Sequence, residues 1–447
     1  MKTPKKPPST QDLLQGLRGD SGRMEKVIEA SLRAQDDGKY LHWDKLRHMT
    51  PSSGLRLEDR WLALKIARAR GLRDLPLLDK HGQPFRFGLP DPVSELLHYI
   101  TQNASGRIGV DDRAITNPDT RDRYVVRSLM EEAITSSQLE GAATTRRVAK
   151  EMLRSNRKPI DTNEQMILNN YIAMQHIRDL RREPLSEALI LELHRILTFK
   201  TMKDPDAAGR FRRSDEEIRV YDDRDNQLLH TPPPAEELPA RLAAMCDFAN
   251  EKTPGYFVDP TVRATILHFW LAYDHPFVDG NGRCARALFY WSMLKMDYWL
   301  CEFISISEII RKAPAKYARS FLYTETDEDD LTYFLVYHLE IIRRAIAQLH
   351  EYVEKKTGEI RRLERVIRAS ARLNHRQLAL LSHALRHPDA EYTVRSHRAS
   401  HNVVHQTARA DLYDLVYEKG LLTAGKSGRS YYFRPVPDLQ ERLQQLH

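Results

Sequence analysis

Twelve consecutive residues, HPFVDGNGRCAR from His275 to Arg286, concentrate side chains suited to phosphate chemistry. His275 precedes a proline, which biases it away from helix, so its imidazole is expected on a loop. An unperturbed imidazole titrates near ~6.5, which suits a general base. Asp279 offers one carboxylate, enough to hold Mg²⁺ when phosphate oxygens supply the other ligands. Gly280, Asn281 and Gly282 permit tight backbone geometry and lead into a helix expected from Cys284 onward. Their N–H groups can form a phosphate cradle at its positive end. Arg283 and Arg286 stand three apart, on one helix face, where two guanidinium groups can clamp a polyphosphate. Each residue alone also fits a capping turn with solvated arginines. The full set points to phosphoryl or nucleotidyl transfer, where positioning and charge neutralisation do most of the catalysis.

Holding such a loop requires a rigid frame, and the sequence around it reads as helix. Apolar residues recur at helical spacing over Tyr124–Ser137, Thr145–Leu153, Glu164–Leu180 and Leu185–Leu197. A further helix is expected over Leu238–Asn250, after the prolines of HTPPPAEEL. Thr261–Tyr273 and Cys284–Met296 are apolar enough to be buried helices flanking the loop, and Leu331–Tyr352 reads as long and amphipathic. Glu217–His230 breaks the pattern: two β-prone runs flank a polar turn at Asp225 and Asn226, the mark of a hairpin. The fold class is therefore mainly α. The stretch from Tyr40 to about Gly109 is rich in turn residues and reads as an extension packed on the core, with no chemistry assigned. Lys2–Ser9 reads as a disordered end, and the Arg210, Arg212, Arg213 run as solvated surface.

HPFVDGNGRCAR resembles the signature of the Fic family (His, any, Phe, any, Asp or Glu, Gly-Asn, any, Arg, two residues, Arg) and matches every fixed position. The likeness extends over about Tyr124–Tyr352. It implies a compact helical bundle with a β-hairpin flap, and transfer of AMP from ATP to a Ser, Thr or Tyr hydroxyl of a target protein. By this resemblance His275 takes the hydroxyl proton, Phe277 anchors the loop in the core, and Asp279 holds Mg²⁺. Gly280, Asn281 and Gly282 cradle phosphate, with the Asn281 side chain near the α-phosphate. Arg283 binds the phosphates and Arg286 reaches the γ-phosphate. Phosphotransferase relatives carry Lys where this chain has Gly282, which favours adenylyl transfer. Upstream, Ser136, Glu140 and Gly141 resemble the inhibitory motif of such proteins, with Glu140 pairing to Arg286 in place of the γ-phosphate. Some relatives use the same Glu to remove AMP, so de-AMPylation is an alternative. Ile218, Arg219, Val220 and Tyr221, with Gln227–His230, resemble the flap, whose strand edge would register an extended target segment. The stretch KYARSFLY around Tyr317 loosely resembles one near the nucleotide base.

The expected organisation is an N-terminal extension over 1–120, a catalytic core over 121–345, a helical linker over 346–372 and a C-terminal module over 373–447. That module, helix, helix, helix and a Gly-rich hairpin, resembles the winged helix-turn-helix domains of bacteria. His405, Thr407 and Arg409 would project from its third helix and Lys426 and Arg429 from its wing, as candidate DNA contacts, while Ala408, Leu412 and Leu415 face its core. From Lys355 onward there are 17 Lys/Arg against 9 Asp/Glu, an excess of 8, so the whole chain's net charge of +7 sits in this last fifth. The module would bind DNA or a protein partner, or make a homodimer, which leaves a DNA-binding regulator with a nucleotide-sensing core as a second reading. At 447 residues, 41% hydrophobic and 29% charged, the composition is that of a globular protein. No apolar run approaches a membrane span and no secretory signal is evident, so the expected location is the cytoplasm. Cys246, Cys284 and Cys301 are too scattered for a zinc site or a disulfide framework, and Cys284 reads as structural.

Overall fold

The structure, a computed structural model, describes residues 3–33, 39–50, 55–104, 118–222, 226–369, 373–427 and 430–445. Among the described residues it is mainly helical, with three sheets, each a two-stranded antiparallel hairpin. The chain divides into two compact units, one of Met1–Arg107 with Val126–Ala347 and one that includes Gln348–His447.

The centre of the first unit is a pair of almost wholly buried helices, Pro260–Asp274 and Asn281–Lys295. The first starts cleanly because the Asp259 carboxylate accepts the Thr261 and Val262 N–H groups, and Pro260 at the first position lacks the donor that would go unpaired. The side chains from Thr261 to Leu271 are buried, as are nearly all from Asn281 to Leu294, so neither helix has a solvent face. Such a helix is held by its neighbours rather than by intrinsic propensity. Glu187–Thr198, capped by Ser186, and Thr162–Asp179, capped by Asp161, pack alongside. Pro118–Leu139 ends where Gly141 adopts φ 93°, a left-handed conformation that suits glycine.

Several expectations are corrected here. The stretch after Tyr40 carries regular structure: helices Leu57–Ala69 and Asp91–Ala104 and the hairpin Arg73–Leu78 with Pro84–Phe87. Their apolar residues Trp61, Phe85, Phe87, Val93 and Ile100 are buried, and Phe85 meets Phe269 and Tyr273 far along the chain, which short-range periodicity does not capture. The N-terminal residues from Thr3 to Ser9 are ordered: Pro4 is buried, the Lys5 N–H donates to Asp44 Oδ1 at 2.8 Å, and Ser9 caps the helix Thr10–Gly16. Lys2 lies outside the described residues. The flap strands are shorter than expected, Val220–Tyr221 and Leu228–His230, so Ile218 and Arg219 precede the ladder.

The second unit contains helices His375–Arg386, Val394–His401 and His405–Tyr413, then a hairpin of Leu422–Ser427 and Ser430–Pro435, and a further helix Leu439–Gln445. Leu381, Leu412, Leu415, Leu421 and Phe433 form its core, and Ala408 is also fully buried.

Candidate active site

The loop from His275 to Gly280 joins the two central helices with a left-handed residue at each end. His275 sits at φ 46°, ψ 56°, with its N–H donating to Leu271 O. Gly280 sits at φ 84° as the residue before helix Asn281–Lys295. A side chain at Gly280 would also lie 2.9 Å from Thr198 Cγ2, so glycine is required on two counts. Between them Phe277 is fully buried and stacks on His194 at 3.8 Å. Asn281 fastens the loop: its Oδ1 accepts the Phe277 N–H at 2.9 Å and its Nδ2 donates to Phe277 O at 2.8 Å. Both ends of that amide thus hold the loop, while Asn281 also lines the cleft and its Nδ2 has a second hydrogen beyond the one given to Phe277 O.

His275 faces the cleft in one defined tautomer. Its Nδ1 lies 3.2 Å from Ala272 O, which can only accept, so Nδ1 carries the proton and Nε2 is left with its lone pair. Burial, followed by the nearby His230 and Arg212 cations, lowers its pKa to about 4, so it is neutral near pH 7. Asp279 is exposed. Its Oδ1 accepts the Gly280 N–H at 2.6 Å, and its Oδ2 accepts from Arg283 Nη2 at 3.2 Å.

The two arginines part company. Arg283 is buried, where Nη1 donates to Leu197 O at 2.9 Å and Nη2 to Asp279 Oδ2 at 3.2 Å, so its guanidinium is already engaged. Arg286 faces the cleft but is already occupied. Its Nε donates to Ser136 Oγ at 2.8 Å, and Nη2 donates to Ser136 O at 3.1 Å and to Glu140 Oε1 at 2.8 Å. Burial pushes the Glu140 carboxyl up, but Arg286 and Arg283 more than offset this and hold it below the usual range. A Cβ at Gly282 would collide with Glu140 Oε1 and lie 3.0 Å from its Cδ. The Glu140 carboxylate therefore rests against the first turn of the Asn281–Lys295 helix, where N–H groups lack partners within the helix and anions are stabilised.

Four contributors escaped sequence reasoning. Arg212, expected as surface, is buried; its Nε donates to His275 O at 2.9 Å and its backbone N–H to Pro276 O at 2.8 Å. Its neighbour Arg210 is tied to Glu216, whose carboxyl falls to about 2 through that pairing. His194 accepts the Gly209 N–H at Nδ1 and donates from Nε2 to Asp279 O, which fixes the back of the loop. His230 joins the flap to the core. Tyr317, half-buried on the cleft wall, meets His268 Nε2 at 2.7 Å, and burial raises its hydroxyl to about 12. The loose likeness around Tyr317 and the place of His230 at the end of the expected hairpin were the only hints, because each acts through contacts distant in sequence.

Glu140, Val220, Leu229, His275, Gly282, Arg286, Tyr317 and Phe321 line one cleft. Val220 is its nearest expected flap residue, while Tyr221 is 43% exposed and Arg219 pairs outward with Glu217. His405, Thr407, Arg409 and Lys426 belong to the other unit, and Arg429 lies outside the described residues. Cys284 is buried, which raises its thiol to about 12. Among the described residues no cluster of three or more His, Cys, Asp or Glu could hold a metal, and no helix is long and apolar enough to cross a membrane.

A loop of this build, with a neutral imidazole and a helix N-terminus on one cleft and an exposed carboxylate between them in sequence, has relatives. Residues 184–293 match the Fic/DOC family. This Fic/DOC region takes in Arg212, the flap and the whole loop, while Glu140 and Tyr317 lie outside it. The protein adenylyltransferase fic-1 of Caenorhabditis elegans is 36% identical over 109 residues, 24% of this chain and 19% of that protein. The protein adenylyltransferase Fic of Drosophila willistoni is 30% identical over 158 residues, 35% of this chain and 29% of that one. The chain thus spans about a fifth to a third of the length of these relatives. A Fic family protein from Desulfovibrio desulfuricans superimposes with a TM-score of 0.51 at 19% identity, over 78% of this chain and 96% of that one, a likeness of fold.

Proposed function

We propose that the protein transfers AMP from ATP to a hydroxyl of a target protein, and that Glu140 restrains it. The observation that carries this reading is the cleft with His275 Nε2 unprotonated on one wall and a helix N-terminus with Arg286 on the other. In the reaction the target oxygen forms a bond to the α-phosphorus, the bond from that phosphorus to the bridging oxygen of the β-phosphate breaks, and pyrophosphate departs. His275 Nε2 takes the hydroxyl proton. Ala272 O holds the ring in the tautomer this needs, as a base must have its lone pair toward the proton it removes. The N–H groups of the first turn after Gly280 face the phosphate oxygens. Asp279 fits a Mg²⁺ role: its carboxylate is exposed, and Gly280 and Arg283 hold it in place. Such an ion, when bound, supplies charge neutralisation to the phosphates.

Glu140 and a polyphosphate compete for the same groups, the Arg286 guanidinium and the helix N-terminus. With the carboxylate in place, the terminal phosphate of ATP lacks its partner. The test is incubation with Mg²⁺ and α-labelled ATP of the native chain, Glu140→Gly, and Glu140→Gly with His275→Ala. Label on protein in the single variant, little in the native chain and none in the double variant is the expected pattern. Absence of label in all three, on the protein or on a lysate, refutes adenylyl transfer by this cleft.

The C-terminal unit supports a second role. Three helices and a hairpin have the order of a winged helix, and exposed Arg409 and Lys426 stack on Tyr413 and Tyr431 at 5.0 and 5.9 Å. We read it as a module that selects a partner or DNA. Duplex DNA shifted by the full chain, with affinity falling as salt rises, is the result that favours DNA.

A further inference from the structure

His230 is the last residue of the flap strand Leu228–His230, its side chain is 9% exposed, and the transfer chemistry above makes no use of it. Both ring nitrogens face acceptors. Nδ1 lies 2.8 Å from Glu325 Oε2, and Nε2 lies 2.8 Å from Tyr273 O. A carbonyl oxygen can only accept, and an ionised carboxylate can only accept. A neutral imidazole has one N–H and leaves one of these contacts without a hydrogen. The site is satisfied only when the His230–Glu325 pair binds one proton beyond a neutral ring and a carboxylate.

The second acceptor has its own significance. Tyr273 O is at the C-terminal end of helix Pro260–Asp274, where the last carbonyls have no partner within the helix and carry partial negative charge. Asp274 O and His275 O, the next two, receive Arg212 Nη2 at 3.4 Å and Nε at 2.9 Å. The same Arg212 Nη2 reaches Pro233 O at 2.5 Å. Two side chains, one before the flap and one at its end, therefore cap three successive carbonyls that terminate in the residue bearing the base. A flap strand held this way cannot move without uncapping the helix end beneath His275.

We propose that protonated His230 is a latch that ties the flap to the helix end carrying His275, a positioning residue that couples target docking to the catalytic base and releases when it loses its proton. This rests on the adenylyl-transfer reading for its consequence but not for the latch itself. The groups facing His230 are Glu325 from helix Pro314–Thr326, Lys80 from the Leu78–Pro84 turn, and Tyr273, Asp274 and His275 from the helix end. Burial and Lys80 oppose the charged ring, but Glu325 and the Tyr273 carbonyl prevail, so its pKa lies above 6.5. A raised folded-state value means that the stabilisation is complete below 6.5 and is lost as pH rises through the folded-state value.

The test is amide hydrogen exchange of the flap, residues 218–231, in the full chain at about pH 6 and about pH 8.5, corrected for intrinsic rates. The native flap should loosen by about tenfold or more between the two, the fold-change of one population step. His230→Phe keeps the ring volume without the bonds and should exchange at the looser rate at both values. Glu325→Gln should move the midpoint lower. The His230 ring resonance, followed by nuclear magnetic resonance in the native chain, should titrate above 6.5. A native flap whose exchange is independent of pH, a His230→Phe flap as protected as the native one at the lower pH, or a ring that titrates below 6.5 overturns the latch. In the Glu140→Gly background, His230→Phe should lower self-labelling by α-labelled ATP several-fold while the KM for ATP stays within about twofold, as expected of a group acting on docking and not on nucleotide. Lack of labelling in Glu140→Gly itself counts against adenylyl transfer, and the exchange and titration data decide the latch without it.

Discussion

Glu140→Gly should make the protein less stable and its ATP site stronger at once. Arg286 is 2% exposed and Glu140 27% exposed, and they meet at 2.8 Å. Removing one partner of a buried ion pair typically costs about 3–5 kcal/mol. Two features reduce this: Glu140 keeps some water, and Arg286 retains its bonds to Ser136 Oγ and O. A loss of about 2–3 kcal/mol is reasonable, and in a unit of this size it should lower the Tm by roughly 3–4 °C. The energy that ATP no longer has to displace reappears in its binding, so the Kd for Mg²⁺·ATP should fall by at most about 30- to 150-fold. Scanning fluorimetry without and with nucleotide, paired with calorimetric titration, measures both. Nucleotide should then raise the Tm of the variant more than that of the native chain. Unchanged stability together with unchanged ATP affinity would refute the claim that carboxylate and phosphate compete for Arg286.

Other consequences are open to equally direct measurement. Gly282→Ala, whose Cβ would meet the Glu140 carboxylate, should lower the Tm alone but add little to Glu140→Gly, because the group it collides with is gone. The stability gap between native and Glu140→Gly should close as pH drops below about 4.5, since a carboxyl held below that value stabilises above it and loses this on protonation. The His275 ring in nucleotide-free protein should titrate near 4 by nuclear magnetic resonance, and a midpoint at or above 6 would contradict its neutral, buried setting. Asn281→Ala leaves the Phe277 N–H and O without partners and should cost about 2–3 kcal/mol, with labelling falling alongside.

Which parts of this site were legible along the chain follows from where its contacts close. The loop and its two helices lie within one stretch, so residue types and spacing sufficed to mark His275, Asp279, Gly280 and Gly282 as candidates. The apolar density of Thr261–Tyr273 and of Cys284–Met296 marked both flanks as buried. Helix content followed likewise from periodicity, and the burial of Phe277 from the family resemblance. The N-terminal elements did not, since a residue such as Phe85 is buried by Phe269 and Tyr273 far along the sequence.

Charge was the harder matter, because an arginine codon says nothing of where the guanidinium ends up. Arg212 reads as one of three surface arginines, yet it crosses 63 residues to hold the His275 carbonyl. Arg283 and Arg286 sit on one helix, yet one turns inward to Leu197 and the other meets Glu140 across 146 residues. His230 takes its meaning from Tyr273, 43 residues on, and Glu325, 95 residues on. The amino-acid sequence by itself determined the side chains on offer: an imidazole, a carboxylate, a glycine-rich turn before a helix, and guanidinium groups. Tertiary structure alone decided which cations remain available to a ligand, since a buried charge must be paired, and its partner is set by packing rather than by neighbours in the chain.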